Sequence, residues 1–436
     1  MRQIAKATKR TLLLVLLLAT TLIVVTQAMA GREPLDVRAT LPLTDPFVTY
    51  GPASPAAQED ANANKTADQP EETNCRYGVA YIFGDERAWI PTLNAGWYVT
   101  FSVFGSDVDS AEFVPVIKIR QDQIEKVRQS TYTVFPPLAE TYIDDKGAER
   151  PGLGKMLRNN PGRLRLVGNE PDVDNMVQGN TMPDVYARAY HETYTYIKSV
   201  DPTASVAIAG LSMMTPGRVQ YLDIVWNSYQ SMYGTDMPVD VYNMHLYVLE
   251  ERNPYNPNEY GDGKIALGTD PNLAKLSSIG SVLACPSHTG PDTPESDPRP
   301  DVYCRSEHDS VRVFTEQVMN MRTWMKAHGQ QNKPLIISEF SLLYPYLNGQ
   351  PDGGCEFLMD EHGQCFSPQR VTDFLQNSIG MLENTTDPNL GYPQDGNRLV
   401  QQWLWYSIVT KQDWSGGSSN LIVDNYPDYE PGSVAA

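Results

Sequence analysis

Gly168-Asn169-Glu170-Pro171-Asp172 and Ile336-Ile337-Ser338-Glu339-Phe340 each place a glutamate where an apolar run gives way to a loop. Short apolar runs bounded by Gly, Pro, Asn or Asp read as buried strands. Either stretch alone is ordinary. Separated by apparent strand-helix units, the pair describes parallel strands whose carboxyl ends carry the chemistry, with Glu170 and Glu339 aimed at one point.

Working outward, strand-like runs fall at 77–83, 97–104, 112–119, 163–168, 204–211, 239–247, 333–339 and 399–406. Amphipathic helical patterns separate the later ones. Tyr186, Tyr190, Tyr194 and Ile197 mark a helix over 183–200, and Leu222 and Val225 mark one over 218–233. Val311, Phe314, Val318, Met321 and Met325 recur at helical spacing over 307–328, as do Val371, Phe374, Leu375 and Ile379 over 367–382. Strand-helix alternation carried to eight strands predicts an α/β fold, a (β/α)8 TIM barrel. The early strands are joined by less regular segments. Two long Pro/Gly/Asp-rich loops, 249–305 and 342–366, follow strands six and seven and so belong to the catalytic face. Loops of that length are walls, lids or decoration.

Composition sets the outer bounds. A chain of 436 residues, 41% hydrophobic and 10% aromatic, has material for a large core. Its net charge of -19 repels phosphate backbones and anionic surfaces, which excludes nucleic acid as a partner and favours a neutral ligand such as a glycan.

Arg2, Lys6, Lys9 and Arg10 precede an apolar run over 11–25, and Ala28-Met29-Ala30 supplies a small-residue processing pattern before Gly31. This predicts a signal peptide over 1–30 and a secreted or extracytoplasmic protein. The rival reading is an uncleaved membrane anchor through residues 11–25. Residues 31–73, rich in Pro, Ala, Asn, Asp and Thr, read as a disordered linker, and 74–436 as the catalytic domain. Cys285 and Cys304 flank one loop and Cys355 and Cys365 another, so local disulfides in an oxidising compartment are expected, with Cys75 left over. Metal binding is the alternative for these cysteines, without any CxxC spacing to support it.

Two opposed carboxylates suit one reaction well. Hydrolysis of a glycosidic bond with retention needs one carboxylic acid to protonate the leaving oxygen and one carboxylate to attack the anomeric carbon, about 5–5.5 Å apart. Residues ending strands four and seven face each other across a barrel mouth and can meet that distance.

At these residues the chain resembles the retaining glycoside hydrolases of clan A, which are (β/α)8 enzymes with catalytic glutamates on strands four and seven. Asn169-Glu170-Pro171 matches the strand-four motif, and its flanking Gly168 and Asp172 resemble the small-barrel glucanases of glycosyl hydrolase catalytic-core type. The resemblance implies Glu170 as acid/base, Glu339 as nucleophile and Asn169 as a ligand of the sugar 2-hydroxyl. It also implies that His245 and Tyr247, in His245-Leu246-Tyr247, belong to the site, with Tyr247 holding the nucleophile. Trp405, or Trp403 in the other register, would floor the central sugar. An arginine usual near the end of strand two has no counterpart in 97–104; Arg120 is the available substitute.

Other chemistries leave less trace. The six histidines include no HExxH spacing, Gly210-Leu211-Ser212 lacks the glycine of a nucleophile elbow, and Gly416-Gly417-Ser418-Ser419 lacks the lysine of a phosphate loop. No metal or cofactor is expected. The reading is an exported hydrolase of β-linked glycans. Its alternative is a non-catalytic carbohydrate-binding or cell-surface barrel, in which the aromatic residues bind sugar without turnover. The export reading predicts that N-terminal sequencing of secreted protein begins at Gly31; an intact N-terminus in a membrane fraction would instead support the anchor.

Overall fold

The computed structural model describes residues 75–80, 86–108, 111–175, 177–252, 263–277, 302–344, 358–410, 415–423 and 430–431. The expected export segment and linker, and much of both long loops, lie outside them. Among the described residues no helix is long and apolar enough to cross a membrane.

Each run read as a strand contains one. They are β1 (Tyr77–Ala80), β2 (Trp97–Val99), β3 (Glu112–Phe113, resumed as Val116–Ile124), β4 (Leu164–Val167), β5 (Ser205–Ile208), β6 (Tyr242–Leu246), β7 (Leu335–Phe340) and β8 (Gln402–Trp405). One parallel sheet runs β6-β7-β8-β1-β2-β3; the other pairs the continuation of β3 with β4 and β5. The ladder breaks at two seams. At the first, Pro115 interrupts β3, since proline has no N–H to donate. At the second, β5 meets the approach to β6 through one bridge, Ala207 to Val241. A mixed α/β fold with parallel strands is therefore observed, without the continuous closed ladder that the (β/α)8 expectation calls for.

Both pieces nevertheless turn one face to a common interior. Ala80, Trp97, Val99, Val114, Val116, Leu166, Ala207, Ile336 and Leu404 pack in one buried cluster. Their neighbours along the strands, Val167, Ile337, Trp403 and Trp405 among them, belong to a second cluster shared with the helices. Alternation along a strand produces this division.

The helices are α1 (Leu153–Asn159), α2 (Pro183–Val200), α3 (Pro216–Tyr233), α4 (Val311–Ala327) and α5 (Pro368–Asn384). Pro183, Pro216 and Pro368 start three of them, and the Ser310 and Ser367 side chains accept from Val313 N and Arg370 N at the N-caps of α4 and α5. Tyr186 on α2 donates to Val167 O and accepts from Ala209 N, both at 2.8 Å, and so stitches β4 to β5.

Two features depart from the sequence reading. The continuation of β3 forms a long antiparallel hairpin with Val127–Phe135, followed by a second hairpin of Thr141–Ile143 and Glu149–Pro151. The loop after β6 is not wholly irregular, since Glu251–Arg252, Gly263–Lys264, Leu276–Ser277 and Val302–Tyr303 form a small parallel sheet. Cys75 is free and exposed. Cys304 and Cys365 are disulfide-bonded. The cysteines expected opposite them, Cys285 and Cys355, lie outside the described residues.

His308 joins the loops after β6 and β7. Its Nδ1–H donates to Val248 O at 2.6 Å, its Nε2 accepts from Leu343 N at 2.9 Å, and the ring stacks on Tyr344. Only the neutral imidazole can make both bonds. Burial, assisted by the Arg370 and Arg305 charges, lowers its pKa to about 4 although the Val248 carbonyl opposes this. An unfolded histidine titrates near 6.5. Between these values the unfolded chain takes up a proton that the folded chain refuses, so stability is lost as pH falls through that window, by on the order of 3 kcal/mol. Urea unfolding near pH 7.5 and near pH 4.5 should show this loss in wild type and less of it in His308→Gln; equal pH dependence in both would contradict the assignment.

Candidate active site

Strict alternation would hide Glu339. Ile336 faces the interior and Ile337 the helices, so Glu339, two residues beyond Ile337, should face the helices as well. A bulge prevents this. On one side Met244 pairs with Ile337 and His245 with Glu339; on the other Trp403 pairs with Ile337 and Trp405 with Phe340. Both partners skip one residue, so β7 carries an extra one and its parity inverts. Glu339 turns inward beside His245, and Phe340 turns out to pack on Phe314 and Trp405.

Glu170 reaches the same place by a different device. The chain leaves β4 through Gly168 at φ 100° and Glu170 at φ 41°. A left-handed conformation at a non-glycine residue costs about 1–3 kcal/mol and persists only where the surroundings enforce it. Here the Glu170 N–H donates to Gly210 O at 3.0 Å. A Cβ at Gly168 would lie 2.9 Å from that of Ala209, so glycine is required by space as well as by φ.

The two carboxylates meet around His245. Its Nδ1 lies 3.0 Å from Glu170 Oε1 and 3.5 Å from Glu339 Oε2, and one oxygen of each glutamate and the imidazole nitrogen lie within 4.8 Å of one another. The Tyr247 hydroxyl donates a short hydrogen bond to the other Glu339 oxygen, Oε1. Glu170, Glu339 and His245 are 5%, 7% and 1% exposed, so their charges interact with little solvent screening. Burial and the Glu170 charge raise the pKa of Glu339 to about 7, against the pull of His245 and the Tyr247 hydrogen bond. Burial pulls the His245 imidazole down, but the Glu339 charge and the bond to Glu170 prevail and raise it. Burial and the Glu339 charge push the Tyr247 phenol far up, so it stays a donor. These three ligand atoms have the spacing to hold a divalent cation, for which the proton favoured by His245 would be the competitor.

Of the remaining sequence expectations, some reach the pair and others do not. Asn169 is half-buried, and its amide donates to Gln178 Oε1 at 2.7 Å. Arg120 is exposed on the first hairpin, opposite Thr133. The arginine beside the site is Arg218, from α3, buried against Asp172 at 2.9 Å and against Glu251. Ser212, Thr215 and the Lys275 N–H complete this network, which joins the segments after β4, β5 and β6. Trp403 and Trp405 are not brought to the carboxylates. Both sit on the helix-facing side of β8, Trp403 against Tyr77 and Trp405 against Phe340 and Phe374. The β8 aromatic near the pair is Tyr406, whose phenol is raised by burial and by the Glu339 charge. Register explains the miss: Leu404 and Tyr406 alternate inward where Trp403 and Trp405 alternate outward.

No family model matches the chain, and no curated protein matches it. Solved structures are similar at low identity. A GH128 (subgroup III) curdlan-specific exo-β-1,3-glucanase from Blastomyces gilchristii is 11% identical, with 79% of this chain and 96% of that one covered and a TM-score of 0.40. A GH128 (subgroup VII) oligosaccharide-binding protein from Trichoderma gamsii is 10% identical over 81% of this chain and 95% of that one, with a TM-score of 0.36. CelM2, a bifunctional glucanase-xylanase from a metagenome library, is 9% identical over 79% and 75%, with a TM-score of 0.37. At these TM-scores the functional reading rests on the site itself.

Gly210 is the backstop of His245. A Cβ there would stand 2.6 Å from Nε2, inside contact distance. Gly210→Ala should displace the ring and cost about 1–3 kcal/mol of stability. Thermal unfolding together with histidine side-chain NMR checks both; an unmoved imidazole signal in a fully stable variant would contradict it.

Proposed function

We propose that the protein is an exported glycoside hydrolase that cleaves β-glycosidic bonds with retention, on a (β/α)8 scaffold, with Glu339 as nucleophile and Glu170 as acid/base. One observation carries this reading: two buried glutamates, from the ends of β4 and β7, converge with carboxylate oxygens within 4.8 Å of each other. Retaining glycosidases hold their carboxyl groups about 5–5.5 Å apart, whereas inverting ones need about 6.5–9.5 Å to admit a water.

In the first step a Glu339 oxygen forms a bond to the anomeric carbon as the glycosidic C–O bond breaks, and Glu170 gives its proton to the departing oxygen. In the second, Glu170 takes a proton from water, the water oxygen replaces Glu339 on the anomeric carbon, and both residues return to their starting states. The raised pKa of Glu339 works against its ionisation, and its neighbours oppose that rise. When Glu170 holds a proton it no longer opposes the ionisation of Glu339, while the Tyr247 hydroxyl and the His245 charge stabilise the Glu339 carboxylate. Asn169, adjoining Glu170, is assigned the sugar 2-hydroxyl, and Tyr406 replaces the β8 tryptophans as the aromatic at the end of β8 near the reacting centre. Export through residues 1–30 and paired loop disulfides belong to the same proposal.

Reducing-end release from β-glucan, xylan and mannan tests the reading. Glu339→Gln and Glu170→Gln, folded by circular dichroism, should each lose roughly three orders of magnitude or more in turnover; wild-type rates in either would refute it. Glycan binding without turnover in wild type would support the non-catalytic alternative. Because Glu339 is raised to about 7 in the free protein, kcat/KM should climb with pH toward neutrality as that carboxylate ionises. Tyr247→Phe removes a bond that favours the ionised form, so its ascending limb should move to higher pH; a downward move would contradict the assignment.

A further inference from the structure

A line of aromatic rings leads away from the carboxylates. Tyr406 follows β8, and its N–H donates to Phe340 O at 3.0 Å, which holds it beside the end of β7. Phe101, in the turn after β2, meets it edge to face with centroids 5.9 Å apart. Three residues on, Phe104 packs against Phe135 of the first hairpin at 6.1 Å, and Phe135 meets Tyr142 of the second hairpin at 5.9 Å. The turn from Thr100 to Phe104 is closed by the Thr100 hydroxyl on Phe104 O and by Phe104 N on the Ser102 hydroxyl. Three residues span at most about 10 Å, so the line has no long gap.

The backbone of the line is costly at one residue. Phe101 sits at φ 51°, a left-handed conformation that a bulky residue rarely adopts and that costs about 1–3 kcal/mol. Phe104 is 54% exposed at the outer end of the same turn, where a polar residue would fit as well. A single exposed phenylalanine is unremarkable. Here it continues a row that begins beside Glu339.

We propose that Phe101, Phe104, Phe135 and Tyr142, continuing from Tyr406, form a binding track for a neutral glycan chain, which makes the preferred substrate a polysaccharide rather than a small glycoside. This rests on the glycosidase reading of the adjoining site. Sugar rings present C–H faces that lie on aromatic rings while their hydroxyls stay in water, and a few well-placed aromatics with polar neighbours are the usual lining of such sites. The net charge of -19 selects against acidic polymers. The hairpin that carries Phe135 is fastened to the rest of the rim, with Arg128 on Asp174 and Asn180 and the Gln121 amide oxygen on Met182 N, so the platform is fixed rather than formed on binding.

The test compares wild type with Phe104→Ala and Tyr142→Ala on soluble β-1,3-glucan, β-1,4-xylan and β-1,4-mannan and on the matching 4-nitrophenyl β-glycosides. Each variant should lose about tenfold in kcat/KM on the polymer that wild type hydrolyses and stay within about twofold on its nitrophenyl glycoside. Equal losses on both, or none on the polymer, would overturn the track and leave the hydrolase reading standing. Should wild type turn over none of these substrates, the hydrolase reading fails and the track is judged by affinity electrophoresis in the same polymers. Retardation of wild type that Phe104→Ala abolishes supports the track; absence of retardation in wild type, or its survival in the variant, overturns it.

Discussion

Two carboxylates and an imidazole are held within 4.8 Å of one another where almost no water reaches them, and the rest of the structure answers to that constraint. Burying like charges together is unfavourable, and the cost appears as raised proton affinity at Glu339 and His245. The site survives because the backbone leaves those side chains nowhere else to go. A bulge in β7 turns Glu339 inward, a left-handed residue turns Glu170 toward it, and the bare face of Gly210 leaves room for the imidazole between them.

The surrounding ion pairs act on the same problem one step out. Arg218 lies between Asp172, two residues beyond Glu170, and Glu251 in the segment after β6. Burial draws the Arg218 guanidinium down and pushes Asp172 up, with each opposing the other's shift by its charge. A fully buried pair of this kind contributes little net stability, but removing one member strands the other, so it fixes the loops it joins. Arg370 does the same between Asp309 and Asp360 with its guanidinium over Phe366, and His308 ties the segments after β6 and β7. The rim is thereby tied at several points.

Much of this was legible in the sequence. Each apolar run read as a strand contains one, and apolar residues at helical spacing mark four of the helices, because burial imposes a period on both. The convergence of Glu170 and Glu339 is legible from their place at strand ends, and that of His245 and Tyr247 only through the resemblance to clan A. The rest depends on one-residue shifts that composition does not record. Alternation taken literally would have turned Glu339 outward, and the missing datum was the bulge at Ser338-Glu339. The same one-residue uncertainty put Trp403 and Trp405 in the site instead of Tyr406. Arg218 comes from a helix start, 114 residues beyond the end of the 97–104 run in which an arginine is expected, and no local signal marks it. The β3 hairpin was hidden by polar residues, which are natural in an arm with both faces partly in solvent.

Under the proposed retaining mechanism, Glu339 bonds covalently to sugar. Incubation with 2,4-dinitrophenyl 2-deoxy-2-fluoro-β-glycosides of the gluco, xylo and manno series, followed by peptide mass spectrometry, addresses it directly. The account predicts a glycosyl adduct on the peptide containing Leu335–Phe340, localised to Glu339, in the series whose polymer the protein cleaves. Hydrolysis of that polymer with inverted anomeric configuration, or an adduct on any other residue, would contradict it.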